Sequence, residues 1–242
     1  LSFFIPFFIY LLTMAPTTSF WDCGEFIACS VTLGVPHPPG TPLFLLLGNV
    51  FSNLPTFDDI GARVNLMSPI ASAFSVMFLY LIIVLFLKRF VDDKPEKQKL
   101  IEYCAIIGAL TFSVTDSHWF NAVESEVYAL STFFTSIVVW LALKWDERPF
   151  NTNSIKYLIL ISYMMGLATG IHILNLLAIP CIIFILFYNK TSSPNLNEID
   201  YKILFKNILY IAFLSFLVFA IIYQVIIKGL PIIGNSMQSL WV

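Results

Sequence analysis

The chain has 242 residues, of which 58% are hydrophobic and only 12% charged, and its mean hydropathy is +0.84. A soluble domain carries about 25% charged residues, so this composition excludes an ordinary soluble domain and predicts an integral membrane protein. The formal net charge of −2 gives no basis for nucleic-acid binding. The chain begins at Leu1 and ends at Val242, just after an apolar segment, so we expect a piece truncated at both ends.

Seven apolar segments predict membrane-spanning helices, because a spanning helix needs about 20 largely apolar residues. They lie within residues 1–15, 63–90, 100–115, 128–143, 157–170, 173–188 and 203–227. Two further apolar runs, 26–35 and 43–54, are too short to cross and predict interfacial or re-entrant helices. The expected fold is therefore an all-α polytopic bundle in a single domain over residues 1–242, with a long first loop at residues 16–62.

Basic residues predict how this bundle is oriented, since cytoplasmic loops are enriched in lysine and arginine. Of the 13 basic residues, all but Arg63 and Lys228 lie in three loops on one side of the predicted bundle. That side is expected to be cytoplasmic. Residues 16–62 and 116–126 then face outward, toward the periplasm if the membrane is a bacterial inner membrane, or toward the lumen of the endoplasmic reticulum in a eukaryote.

The first outward loop carries the densest group of chemically active side chains. Asp22 and Glu25 are three residues apart and would share one face of a helix that starts at Trp21. They could cap that helix together with Thr18 or Ser19, or one of them could act in catalysis. Cys23 and Cys29 lie nearby and could form a disulfide, but if they occupy one helix they would point to different faces and no bridge is expected.

A proline-rich turn follows at residues 35–42. Prolines fix φ and remove hydrogen-bond donors, while Gly40 allows a sharp reversal. The turn could be a simple connector between two interfacial helices, a rigid platform that presents His37, or both.

Polar and ionisable groups at membrane depth are costly, so they indicate functional sites. The candidates beyond the first loop are Arg63, His118, Glu124, Glu126, His172 and Asn175. Arg63 could extend to lipid headgroups or bind a phosphate, and His172 with Asn175 could be a satisfied core pair. A divalent cation would find oxygen ligands among the outward acids, but no spacing here specifies a metal site.

This combination suggests chemistry on a lipid-linked substrate. An outward carboxylate could deprotonate an acceptor hydroxyl, and an arginine or histidine could hold a lipid phosphate leaving group. The interfacial helices would let a polyprenyl chain approach from within the membrane.

Five motifs resemble those of a known family. They are Phe20 to Phe26 (FWDCGEF), His37 to Leu43 (HPPGTPL), Arg63 to Ser68 (RVNLMS), Glu124 to Tyr128 (ESEVY) and His172 to Asn175 (HILN). A first outward loop that opens with an acid beside an aromatic residue resembles the GT-C superfamily of polytopic glycosyltransferases. Together the motifs resemble the bacterial family, formerly a domain of unknown function, that is related to the transmembrane protein 260 O-mannosyltransferases.

The resemblance implies transfer of a mannose-like sugar from a polyprenyl-phosphate donor to a protein hydroxyl outside the cytoplasm, with inversion. It implies that Asp22 is the catalytic base, with Glu25 as the rival. The residues expected to bind substrate are Trp21, His37, Arg63, His118, Glu124, Glu126, His172 and Asn175. The expected partners are the lipid-linked donor, an acceptor protein and membrane lipid.

A second hypothesis is a transporter or lipid flippase whose outward acids bind protons or cations. Transporters often contain repeated halves with paired broken helices. The sequence contains no second copy of the Asp22 or His37 segments, which favours the glycosyltransferase.

Overall fold

The computed structural model describes all of the chain except residues 39, 92–93, 148–151, 192–200, 230–231, 233–235 and 237–242. The chain divides into two units, Leu1–Asn175 and Leu176–Val242. Every regular element in the described part is helical, which confirms the all-α prediction there.

In its described residues, the first unit contains nine α-helices and leads into a short 3-10 helix at Ile173–Leu177. They are α1 Phe4–Thr13, α2 Cys23–Thr32, α3 Pro42–Ser52, α4 Ile60–Asn65, α5 Met67–Lys88, α6 Pro95–Ser113, α7 Asp116–Ala122, α8 Val127–Asp146 and α9 Thr152–Thr169. The second unit contains α10 Ala178–Thr191 and α11 Tyr201–Ile221, which continues as a π-helix at Ile222–Gly229.

The predicted count of seven spans is not confirmed. Three helical segments in the described residues are long and apolar enough to cross a membrane: Ile60–Lys88, Val127–Asp146 and Ile208–Val225. A fourth would be the pair α6 and α7, bent by 69° at residues 114–115. The other predicted segments do form helices, but shorter ones. Helix α1, for example, has 10 residues and so spans only about 15 Å, half of the hydrocarbon core.

The core of the first unit forms where α5 packs along α8 and α6, and α8 along α9. Helices α2 and α3 of the first loop also contribute to it, through the buried rings of Phe26 and Phe44. The backbone N–H of Leu43 donates to the carbonyl of Gly170 at 2.8 Å, tying the start of α3 to the end of α9. The first loop is therefore packed onto the helical bundle, which gives its side chains fixed positions.

Helices α2 and α3 approach closely at Gly48. A Cβ atom at this position would lie 2.3 Å from Ser30 Oγ and 2.8 Å from Ser30 Cβ. We expect Gly48→Ala to destabilise the first unit by about 1–3 kcal/mol, because the added methyl group forces the two helices apart. The measurement is thermal unfolding of the protein in detergent, followed by circular dichroism.

The matched control is Gly166→Ala in α9, where an added Cβ meets no atom within 4 Å. This change should be neutral or slightly stabilising, since alanine favours a helix over glycine by about 1 kcal/mol. If both variants melt together, the α2–α3 contact does not limit stability.

Candidate active site

The turn before α2 places Asp22 in an unusual setting. Trp21 adopts a left-handed backbone with φ of 56°, which is uncommon for a residue with a side chain and is found at functional sites. Helix α2 begins at Cys23 and not at Trp21, so Asp22, rather than Thr18 or Ser19, takes the N-cap position. The Asp22 side chain makes no capping hydrogen bond there, and it is exposed. The prediction of capping by Thr18 or Ser19 is therefore wrong, and the Asp22 carboxylate is not used to cap α2.

Glu25 and His37 form a two-point contact across the first loop. The backbone N–H of His37 donates to Glu25 Oε1 at 2.7 Å, and His37 Nδ1 lies 2.8 Å from Glu25 Oε2. The hydrogen bond with His37 lowers the pKa of Glu25, and the same contact raises the pKa of His37. The turn at residues 35–42, of which residue 39 lies outside the described part, therefore holds His37 against Glu25, which agrees with the platform alternative for this turn.

Asp22 completes a three-residue cluster. One ligating atom from each of Asp22, Glu25 and His37 lies within 4.8 Å of the other two. The predicted disulfide alternative does not arise, because Cys23 and Cys29 are both free thiols on α2. The structure thus brings together both predicted catalytic acids and the histidine of the proline-rich turn.

Two buried acids lie behind this cluster, in the segment that joins α7 to α8. Glu124 is 1% exposed and Glu126 is 5% exposed. The Glu126 carboxylate lies near the backbone N–H of Asp22, which favours its charged form. Burial, followed by repulsion from Asp22 and Glu124, raises the pKa of Glu126 to about 7. Burial also raises the pKa of Glu124, although a hydrogen bond with Ser19 opposes this.

Asn65 holds these segments together, and sequence reasoning did not single it out. Its side chain is fully buried and donates through Nδ2 to the carbonyls of Ala15 at 2.9 Å and Thr17 at 2.8 Å. Its Oδ1 accepts from the backbone N–H and the hydroxyl of Ser125, at 3.0 and 2.6 Å, and from Cys23 Sγ at 3.7 Å. Asn65 therefore holds Ser125, which lies between the two buried acids, and Cys23, which follows Asp22. The signal in the sequence was an amide at the start of an apolar span.

Comparison with known proteins connects this site to a family. Residues 22–195 match the family described as the protein O-mannosyl-transferase TMEM260 N-terminal domain. The chain belongs to this family. The matched range begins at Asp22 and contains Glu25, His37, Asn65, Glu124 and Glu126, the residues of the site described above.

Two curated relatives carry the same name. The protein O-mannosyl-transferase tmem260 of Dictyostelium discoideum is 27% identical over 192 residues, which cover 74% of this chain and 22% of the relative. The TMEM260 protein of Mus musculus is 27% identical over 180 residues, which cover 74% of this chain and 24% of the relative. The chain thus spans about a quarter of the length of these relatives. No solved structure is significantly similar to it.

In this member of the TMEM260 family, the Arg63 guanidinium group donates hydrogen bonds to backbone carbonyls. Its Nε donates to the carbonyl of Phe57 at 2.5 Å, and Nη1 donates to that of Ser52 at 3.3 Å. A weaker contact joins Nη2 to the carbonyl of Asp58 at 3.5 Å. Arg63 therefore organises the segment between α3 and α4, and its role in binding a phosphate stays a prediction.

We expect Arg63→Lys to loosen this segment even though it keeps the positive charge, because an ammonium group cannot reproduce the planar fork of donors. The measurement is limited proteolysis within residues 52–58, compared with Lys88→Arg as a charge-conserving control at the end of α5. Unchanged protease resistance in Arg63→Lys would show that the carbonyl contacts do not order the segment.

The other three predicted substrate-binding residues, His118, His172 and Asn175, make contacts within the helical bundle. His118 is buried, with its ring centroid 4.4 Å from that of Phe112. His172 Nδ1 accepts from the backbone N–H of Leu174 at 3.1 Å, and burial lowers the pKa of His172. No hydrogen bond or ion pair found in the described residues links His118 or His172 to the cluster.

Asn175 is fully satisfied inside the first unit. Its Oδ1 accepts from the hydroxyls of Ser131 and Thr135, both at 3.0 Å. Its Nδ2 donates to the carbonyls of Ala168 and His172, both at 2.9 Å. These bonds join α8 to the end of α9, which agrees with the alternative reading of Asn175 as a satisfied core residue.

Proposed function

We propose that this chain is the N-terminal membrane part of an inverting glycosyltransferase of the GT-C type. The enzyme transfers a mannose-like sugar from a polyprenyl-phosphate donor to a serine or threonine hydroxyl of an acceptor protein, on the extracytoplasmic side. The names of the relatives support protein O-mannosylation. The observation that carries the proposal for this chain is the Asp22 carboxylate, which is exposed, not used as a helix cap, and surrounded by polar groups on a rigid loop.

Asp22 fits the role of general base. The carboxylate takes the proton of the acceptor hydroxyl, and the acceptor oxygen forms a bond to the anomeric carbon of the sugar. The bond from that carbon to the phosphate oxygen breaks, and polyprenyl phosphate leaves with the electron pair. Because Asp22 is exposed, its carboxylate is accessible to an acceptor hydroxyl.

The neighbours of Asp22 position the reactants. Trp21 is 84% exposed, and its ring offers an apolar face on which a sugar can stack. Glu25 is engaged with His37 through both of its oxygens, so it is better suited to fixing the loop and orienting the acceptor than to removing its proton. The short apolar helices α2 and α3 carry this site and would face the lipid of the donor.

The test is a transfer assay with the full-length protein in lipid vesicles. Radiolabelled polyprenyl-phosphate mannose is supplied with acceptor protein, and label on serine or threonine is measured after alkaline release. Transfer of mannose to the acceptor is the expected result. Movement of the labelled lipid across the vesicle membrane without transfer would replace the glycosyltransferase with the flippase hypothesis.

A further inference from the structure

The cluster around Asp22 holds two exposed carboxylates, those of Asp22 and Glu25, and a single imidazole, that of His37. The buried carboxyl groups of Glu124 and Glu126 lie close by, and burial raises the pKa of both. No lysine or arginine in the described residues forms an ion pair with any of the four. A phosphate-linked donor is also an anion and would be repelled by this group of charges. The site therefore requires a source of positive charge.

We propose that one divalent transition-metal ion, Mn²⁺ or Zn²⁺, binds between Asp22, Glu25 and His37, with Glu126 as the buried carboxylate behind it. The binding of the ion is inferred from the geometry alone. Its role, which is to hold the donor phosphate, rests on the proposed function.

The three exposed side chains have the right spacing to converge on an ion. Their ligating atoms lie within 4.8 Å of one another, and His37 Nδ1 is already 2.8 Å from Glu25 Oε2. Metal–ligand bonds of about 2.0–2.2 Å place neighbouring ligand atoms about 3–3.5 Å apart. Small rotations of surface side chains are enough to reach that spacing. The ion would lie between the Glu25 carboxylate and His37 Nδ1, in place of their direct contact.

Glu126 provides independent support. Its carboxylate is buried, yet Glu126 Oε1 has no hydrogen-bond partner. The side chain lies beside the cluster, close enough to Asp22 and His37 for its charge to act on both. Buried charges are normally paired or coordinate metals. A cation beside Asp22 would supply the missing partner.

The type of ligand selects the type of metal. Imidazole suits zinc and related transition metals, whereas Mg²⁺ and Ca²⁺ prefer sites made of oxygen atoms alone. Two exposed carboxylates and one imidazole form an open site, which leaves coordination positions for water or a phosphate oxygen. One oxygen of Asp22 can bind the ion while the other remains available to an acceptor hydroxyl.

The test is binding of Mn²⁺ to the full-length protein in nanodiscs, followed by electron paramagnetic resonance of free Mn²⁺. The variants are Asp22→Asn, Glu25→Gln and His37→Gln, and the matched control is Asp116→Asn, which removes an exposed acid from the start of α7. We expect one ion per chain, with proton release on binding. Loss of an outer partner of a metal costs 10–100-fold in affinity, so each cluster variant should bind at least about tenfold more weakly. The control should bind like the wild type.

Three outcomes would overturn the inference. They are no saturable binding to the wild type, equal binding by the cluster variants, and displacement of Mn²⁺ by equimolar Mg²⁺ or Ca²⁺, which would exclude His37 as a ligand. The outcome is separable from that of the proposed function. Sugar transfer that persists in a chelator, without Mn²⁺ binding, would remove the metal and keep the glycosyltransferase. Specific Mn²⁺ binding without any sugar transfer would keep the metal site and remove the proposed glycosyltransferase activity.

Discussion

The Asp22→Asn variant is expected to transfer sugar about 10²–10⁴-fold more slowly than the wild type at saturating donor, which is the usual cost of losing a general base. The amide keeps the shape of the side chain but cannot accept the proton of the acceptor hydroxyl. Because the side chain is exposed and makes no capping bond, the loss should appear in the rate and not in the melting temperature. The measurement is the initial rate of labelled mannose transfer by the full-length protein.

Glu25→Gln and Asp116→Asn are the two variants with which Asp22→Asn is compared. Glu25→Gln should reduce the rate less, since it loosens the His37 contact without removing the base. Asp116→Asn changes an exposed acid outside the cluster and should leave the rate unchanged. Near wild-type turnover in Asp22→Asn combined with an inactive Glu25→Gln would exchange the two roles. Full activity in both would contradict the mechanism.

Asn65→Ala is expected to lower the free energy of unfolding by about 2–4 kcal/mol and to reduce transfer as well. The substitution leaves the backbone N–H and the hydroxyl of Ser125 without their buried acceptor, and an unsatisfied buried polar group costs about 1–3 kcal/mol. It also releases the segment that carries Glu124 and Glu126 from the turn before Asp22. Chemical denaturation and the transfer rate measure the two effects separately.

The controls separate the two sides of the Asn65 amide. Asn65→Asp keeps an oxygen acceptor for Ser125 but loses the donor to the carbonyls of Ala15 and Thr17. Asn121→Ala removes a comparable amide from α7, where its hydrogen bond to the carbonyl of Ser117 is exposed. That variant should unfold like the wild type. If Asn65→Ala also unfolded like the wild type, the hydrogen bonds of the Asn65 side chain would not stabilise the site.

The family motifs drew attention to the segments that the structure brings together around Asp22, but they did not reveal every residue of this candidate site. The motif from Arg63 to Ser68 drew attention to Arg63 because of its charge. In the structure, the Arg63 guanidinium group donates to backbone carbonyls between α3 and α4. It is the neighbouring Asn65 that joins the segments of the site. An amide gives little signal in a sequence, since its importance depends on being buried among groups that it alone can satisfy.

The number of spans differs from the prediction for a related reason. Apolar composition shows that a segment avoids water, but it does not show how long a helix will continue. Helix α6 ends at Ser113 and the chain bends by 69° into α7, so one apolar stretch becomes a broken pair. The bend brings the end of α7, and the two acids that follow it, to the turn before α2.

The sequence by itself determined the membrane class, the helical composition, and the spacing of Asp22 and Glu25 ahead of a proline-rich turn. These features depend on local properties: hydropathy, a three-residue spacing, and the restricted backbone of a proline-rich turn. Only the tertiary structure decided that His37 contacts Glu25, that Glu124 and Glu126 lie behind Asp22, and that Asn65 joins these segments. The Asn65 contacts connect residues 42 and 60 positions apart. Contacts at such separations are set by how the helices pack, because packing alone brings distant segments together and excludes the water that would otherwise satisfy their polar groups.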